Sequence, residues 1–241
     1  MANDTQQYDA YTASCIAVRV ASELYRTCER IEIVGSLRRQ RQTVHDIDIL
    51  LVPKLEMVEK AVDASQKDLF GSGPPSRVPR WPGLDVLAAL GTRLCLSPAP
   101  AGTAAAETDA RFVSAVVRPW PPGDKGKPTP NLTTGPAAYD NTILFLRVES
   151  VDVGKRYLWS DLPVDIYVCE ASRFEMLKVI RTGSKEHNIM LAKRAKDRGC
   201  KLKADGTGLE GDGGRVLPIT SEAMLFERLA MSYVEPEARE G

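Results

Sequence analysis

The stretch from residue 31 to residue 52 constrains this chain most. Ile31 to Val34 is a short run rich in β-branched residues, which favours a strand. Gly35-Ser36 breaks it where a backbone can approach a ligand closely. Arg38, Arg39 and Arg41 follow, and then a second strand-like run carries Asp46 and Asp48. On a strand, positions i and i+2 leave on one face, so the two carboxylates sit about 7 Å apart on the same side. Ile47 and Ile49 leave on the other face and can be buried.

Two carboxylates side by side on a strand are costly unless positive charge lies between them. Magnesium is the expected counter-charge, because it takes carboxylate oxygens and keeps positions open for phosphate oxygens. Arginines beside a Gly-Ser turn suit a polyphosphate. The local chemistry therefore reads as two-metal phosphoryl or nucleotidyl transfer. An edge hairpin with solvated arginines is the plain reading of Asp-x-Asp alone; the added Gly-Ser turn and arginines argue against it.

With Gly35, Ser36 and Arg39 followed by Asp46 and Asp48, the chain resembles the nucleotidyltransferase superfamily headed by DNA polymerase beta, and most closely the family X DNA polymerases in the compact form carried by bacteriophages. The turn Thr182-Gly183-Ser184 with Asn188 after it is a second point of similarity. The resemblance covers roughly residues 31–53 and 160–239. It implies an α+β fold: a mixed-sheet nucleotidyltransferase palm over residues 1–170, with an irregular insertion at about 71–140, and a small helical thumb over 171–241. It implies that Asp46 and Asp48 hold two magnesium ions, for which manganese can substitute, and that Asp165 is the third metal carboxylate. Ser36 and Arg39 would hold the triphosphate, with Gly35 at the turn and the His45 backbone amide beside it. Gly183, Ser184 and Asn188 would position the nucleotide. The partners implied are a nucleoside triphosphate and DNA, with RNA as an alternative acceptor. A transferase acting on a small molecule, a tRNA or a protein shares the same core and stays open as a second reading.

At three places the pattern departs from the family. Ile180-Arg181 stands where an aromatic pair is usual, His45 where a glycine is usual, and Tyr167 where an arginine is usual. Only about 30 residues precede the first strand, so the helix-hairpin-helix modules of longer relatives are not expected.

Overall charge is uninformative, because 32 Lys and Arg balance 32 Asp and Glu. Local charge is not. Between Lys178 and Lys203 nine basic residues face two acidic ones, and Arg181, Lys185, Lys193, Arg194 and Arg198 are the candidates for a nucleic-acid phosphate surface. No apolar run reaches membrane-spanning length and the N-terminus lacks the basic start and apolar core of a signal peptide, so a cytoplasmic protein that does not enter a membrane is expected. The five cysteines form no C-x-x-C pair and read as reduced. Residues 206–211 match G-x-G-x-x-G, but no strand precedes them and no helix follows, so they read as a hairpin connection.

Apolar periodicity predicts helices over 9–28, 55–69, a short one from a cap at Ser172, 186–198 and 221–230. It predicts strands over 142–148, 156–159 and 164–169.

Overall fold

The computed structural model describes residues 7–59, 77–83, 85–86, 110–116, 142–150 and 162–240. The predicted strand at 156–159 and most of the 71–140 insertion lie outside the described residues.

A short strand β1 (Tyr8–Asp9) leads into helix α1 (Ala10–Leu24). The Asp9 carboxylate accepts from the Thr12 amide at 2.9 Å and caps the helix. Ala13, Ile16, Ala17, Val20 and Leu24 form its buried stripe. Val18, apolar and adjacent in the sequence pattern, points outward. Strand β2 (Cys28–Ile33) ends at the one-turn helix α2 (Gly35–Arg38). Strand β3 (Thr43–Val44) pairs back onto β1 and pins the arginine loop. Strand β4 (Ile47–Pro53) follows.

The predicted helix at 55–69 is not what forms at its start. Glu56–Glu59 is strand β5, paired antiparallel with strand β6 (Arg77–Arg80). The register sets Glu56 opposite Arg80 and Glu59 opposite Arg77. Cross-strand charge pairing of this kind outweighs a modest helical pattern. Trp81, directly after β6, is fully buried and donates its indole N–H to the Thr27 carbonyl at 2.8 Å.

The central sheet has five strands in the order β2-β4-β9-β8-β7, where β7 is Ala110–Val116, β8 is Thr142–Ser150 and β9 is Leu162–Val168. Strands β4 and β9 are parallel; the other three pairings are antiparallel. The pleat sorts side chains by parity. Ile47, Ile49 and Leu51 of β4, with Val164, Ile166 and Val168 of β9, pack in one core with α1. Leu50 and Val52, with Cys169 just after β9, pack in another with Phe174 and Leu177. Asp48, Asp165 and Tyr167 share the parity of that second face.

Helix α3 (Phe174–Thr182) lies on the second face. Ser172 does not cap it: a 3-10 turn, Ala171–Arg173, intervenes, and the first helical turn receives no side-chain bond. Arg30 of β2 fixes α3 instead, with its guanidinium 3.9 Å from the Phe174 ring centroid and 2.6 Å from the Glu175 carboxylate. After the turn at Gly183, helix α4 (Lys185–Asp197) is capped by Ser184, whose hydroxyl accepts from the His187 amide at 3.0 Å. Gly199, at φ +71°, closes it in the left-handed conformation usual after a helix. A three-stranded sheet of β10 (Lys201–Leu202), β11 (Leu209–Glu210) and β12 (Val216–Leu217) follows; residues 206–211, expected to be a hairpin connection with no strand before it, instead follow β10 and include β11. Helix α5 (Glu222–Arg228) is capped by Ser221. A separate apolar cluster of Met176, Val179, Leu191, Leu209, Leu225 and Phe226 holds this C-terminal region together.

The C-terminal segment folds back onto α2. Glu222 sits between two guanidinium groups, Arg38 at 2.6 Å and Arg239 at 3.3 Å. Arg239 is completely buried. Among the described residues no helix is long and apolar enough to cross a membrane.

Candidate metal and phosphate site

Asp48 and Asp165 are direct neighbours. They stand opposite one another in the register of the parallel pair β4 and β9. Asp46 lies just before β4, and one carboxylate oxygen from each of the three lies within 4.8 Å of the others. The three groups are only partly exposed. Such a set of hard oxygen donors fits magnesium or manganese by size and chemistry.

The protein by itself holds back charge at the cluster. Burial, then the charges of Asp46 and Asp165, pushes the Asp48 carboxyl up to about 8. Burial, then Asp46, raises Asp165 to about 6. Asp46 is also raised by burial, with His45 and Arg39 partly offsetting it. The Tyr167 hydroxyl reaches both strands, 3.2 Å from Asp48 Oδ1 and 3.5 Å from Asp165 Oδ2.

The turn before α2 is shaped around this cluster. Gly35 has φ +64°, and a Cβ placed there would overlap the Asp48 carboxylate. Only glycine lets the backbone come this close. A cavity of 760 Å³ opens between α2, the arginine loop and the turn into α4. Gly35, Ser36, Arg39, His45, Asp46 and Asp48 line one side of it, and Arg181, Gly183, Ser184 and Lys185 the other. The Ser36 hydroxyl is buried without a hydrogen-bond partner in the protein, as a group awaiting a ligand oxygen would be. Arg39 donates to the Thr182 carbonyl and to Glu240 at 2.9 Å, and Arg41 meets the same carboxylate at 3.2 Å.

Other residues singled out from the sequence lie elsewhere. Asn188 is not in the cavity wall; its amide donates to the Ile180 carbonyl at 2.7 Å and so closes the turn. Ser184 lines the cavity, but its hydroxyl is committed to capping α4. Arg194 donates to the carbonyls of Leu229 and Ala230 at 2.9 and 3.1 Å, which satisfies the end of α5. Lys185, Lys193 and Arg198 remain exposed on α4 and the turn after it. Two of the three departures from the family pattern touch each other: the Arg181 guanidinium lies 4.1 Å from the Tyr167 ring centroid.

Sequence reasoning assigned no role to Tyr167, Glu222, Arg239 or Glu240. Tyr167 was findable, being two residues after Asp165 and so on its face of β9. The others carry no local signal: Glu222 and Glu240 meet Arg38 and Arg39 from nearly 200 residues away, and Arg239 reaches Glu222 only through the fold of the C-terminal segment.

Comparison with known proteins bears on the C-terminal part. Residues 178–240 match the family model for the DNA polymerase beta thumb. No curated protein gave a match. The chain is thus a mixed α/β protein with a thumb-like C-terminal region and a three-carboxylate cluster able to hold a metal ion.

Proposed function

We propose that this chain is a magnesium-dependent nucleotidyltransferase of the family X DNA polymerase type, with a palm over residues 1–170 and a thumb over 171–241. Its reaction would be transfer of a nucleoside monophosphate from a nucleoside triphosphate to a nucleic-acid 3′-hydroxyl. One observation carries this reading: Asp48 and Asp165 stand in register on adjacent parallel strands with Asp46 beside them, and Asp46 and Asp48 line a cavity that Arg39, Arg41 and Arg181 also line. The thumb match over 178–240 supports it independently.

In this reading Asp46 and Asp48 hold both ions and Asp165 completes one of the two sites. Magnesium supplies neutralisation of the triphosphate and activation of the attacking oxygen. The chain's own groups bind and align. The unpartnered Ser36 hydroxyl and the guanidinium groups of Arg39 and Arg41 take phosphate oxygens. The positive φ of Gly35 brings the backbone against the Asp48 carboxylate. The turn at Gly183 forms the wall against which the nucleotide lies. The experiment is primer extension with ribo- and deoxyribonucleotides, with and without template. No incorporation under any of these conditions by a folded, metal-loaded protein would refute the reading.

Glu240 occupies part of the phosphate-binding side of the cavity, and an incoming triphosphate has to displace it from Arg39 and Arg41. Releasing an ion pair of this exposure is worth about 1 kcal/mol, or about five-fold in affinity. Glu240→Gln is therefore expected to bind inorganic tripolyphosphate about five-fold more tightly than wild type in a calorimetric titration. Unchanged or weaker binding would show that Glu240 supports the arginines rather than competing for them.

The rival reading, transfer to a small acceptor, draws on the positions of Asn188 and Arg194, whose donors are committed to backbone carbonyls. The exposed cations separate the two. Replacing Lys185, Lys193 and Arg198 together by Ala, while keeping Arg194, is expected to flatten the salt dependence of duplex binding. The slope of log K against log salt should shrink by about 0.9 for each phosphate that these side chains neutralise in wild type. Binding should weaken alike on all sequences, since phosphate contacts carry no sequence information. Absence of wild-type binding even at low salt would favour the small acceptor.

A further inference from the structure

We propose that Tyr167 and Arg181 form a positioning pair for the acidic cluster, and that Arg181 serves this pair rather than a nucleic-acid backbone. The inference rests on the reading of Asp46, Asp48 and Asp165 as a metal site.

Four observations lead to it. Tyr167 lies on β9 at the parity of Asp165, so its ring rises from the sheet on the cluster's side. Its hydroxyl stands 3.2 Å from Asp48 Oδ1 and 3.5 Å from Asp165 Oδ2, bridging the two strands that supply the carboxylates. A donor held there selects which carboxylate oxygen turns toward the phenol and which toward the metal. The Arg181 guanidinium lies over the ring, 4.1 Å from its centroid, a distance at which a cation is attracted to the ring face. Finally, the Arg181 Nε is buried and has no hydrogen-bond partner in the protein. A guanidinium stacks on aromatic faces as well as donating hydrogen bonds, so its placement here follows from the ring and the anionic cluster beneath it.

The pair also joins two walls of the cavity. Arg181 is in the last turn of α3, immediately before Thr182 and Gly183, while Tyr167 belongs to the sheet. The stack ties the position of the Gly183 turn to that of the carboxylates. Arg181 is therefore poorly placed as part of a track along nucleic acid, unlike the exposed Lys185, Lys193 and Arg198. Its side chain is only partly exposed and faces the cavity.

The test is manganese binding, followed by electron paramagnetic resonance in the absence of nucleotide. Wild type, Tyr167→Phe, Arg181→Lys and Asp165→Asn are compared, with thermal melts to verify folding. Tyr167→Phe keeps the ring and the stack but loses the donor. Partners that orient metal ligands typically account for ten-fold or more in metal affinity. Tyr167→Phe is expected to weaken manganese binding about ten-fold with little change in melting temperature. Arg181→Lys, which keeps the charge but loses the planar stack, is expected to weaken it less. In transfer assays both variants should lower kcat and leave KM for the nucleotide nearly unchanged. Arg181→Gln, which removes the charge, should leave the salt slope of DNA binding as in wild type.

If both variants bind manganese as wild type does while Asp165→Asn does not, the pair's role is overturned and the metal site stands. If Arg181→Gln flattens the salt slope, Arg181 belongs to the nucleic-acid surface after all. If wild type itself takes up no manganese, the reading of the cluster fails and the pair's role falls with it.

Discussion

Asp48→Asn is expected to abolish nucleotidyl transfer and at the same time to stabilise the metal-free protein at pH 8. The first effect is the loss of a ligand from a shared site, and it should exceed about a hundred-fold, the upper range for residues that merely orient ligands. The second follows from the pH linkage. Burial and the neighbouring carboxylates raise the Asp48 carboxyl to about 8 in the fold, against an ordinary value of 3.8. Between those values the folded state binds more protons than the unfolded chain. Stability therefore falls as pH rises from about 4 to about 8, and the full penalty applies above that range. Asparagine carries no charge and does not incur it. Each pKa unit corresponds to about 1.4 kcal/mol, and coupling within the cluster together with water entry reduces the total, so the gain at pH 8 is on the order of a few kcal/mol. Magnesium should stabilise wild type in the same window and Asp48→Asn much less. Thermal melts from pH 5 to 9, with and without magnesium, measure both. A variant whose melting temperature tracks that of wild type across this range would show that Asp48 is not held in the repulsive cluster. Asp165→Asn should also lose transfer activity; near wild-type activity would remove it from the site.

Glu222→Ala is expected to destabilise the C-terminal region by about 3–5 kcal/mol, the cost of leaving a buried charge uncompensated. Glu222 is nearly buried, and it lies between Arg38 on one side and the fully buried Arg239 on the other, with the Tyr233 hydroxyl donating to it at 2.9 Å. Burial alone would raise its carboxyl, but the hydrogen bonds from Arg38 and Arg239 outweigh that and hold it at about 2. The sign is opposite to that of Asp48. The contribution is fully present above about 4.5, the unfolded value, and is lost as pH falls through about 2. Because Arg38 belongs to α2 and Arg239 to the C-terminal segment, the change should loosen residues 230–240 first. It should also release Glu240 from Arg39. Hydrogen exchange confined to that segment measures the effect. Undisturbed exchange there in Glu222→Ala would show that the apolar cluster around Phe226 holds the segment without the ion network.

These two sites differ in how much of them can be read from the chain. Gly35, Ser36, Arg39, Asp46 and Asp48 fall within fourteen residues, and their relation depends on a turn and on strand parity, both of which are local. The same holds for α1, for the helix that starts after Ser221, and for the glycine that ends α4. Glu56–Glu59 read as a helix start because its partner strand begins eighteen residues later and leaves no mark on the segment itself. Ser172 read as a cap, yet a 3-10 turn moved the helix start beyond it.

Side-chain allegiance was settled by closure of the fold. Asp165 is 117 positions from Asp48, and only the parallel register of β9 on β4 sets them side by side. Arg194 and Asn188 have the composition of binding residues, but they donate to carbonyls at the end of α5 and in the last turn of α3. Tyr167 and Arg181 meet because one rises from the sheet and the other ends the helix laid across it. Strand and helix periods act over a few residues and are written in the sequence. Which distant group will satisfy a buried charge or donor depends on where the backbone brings it, and that is decided by packing in three dimensions.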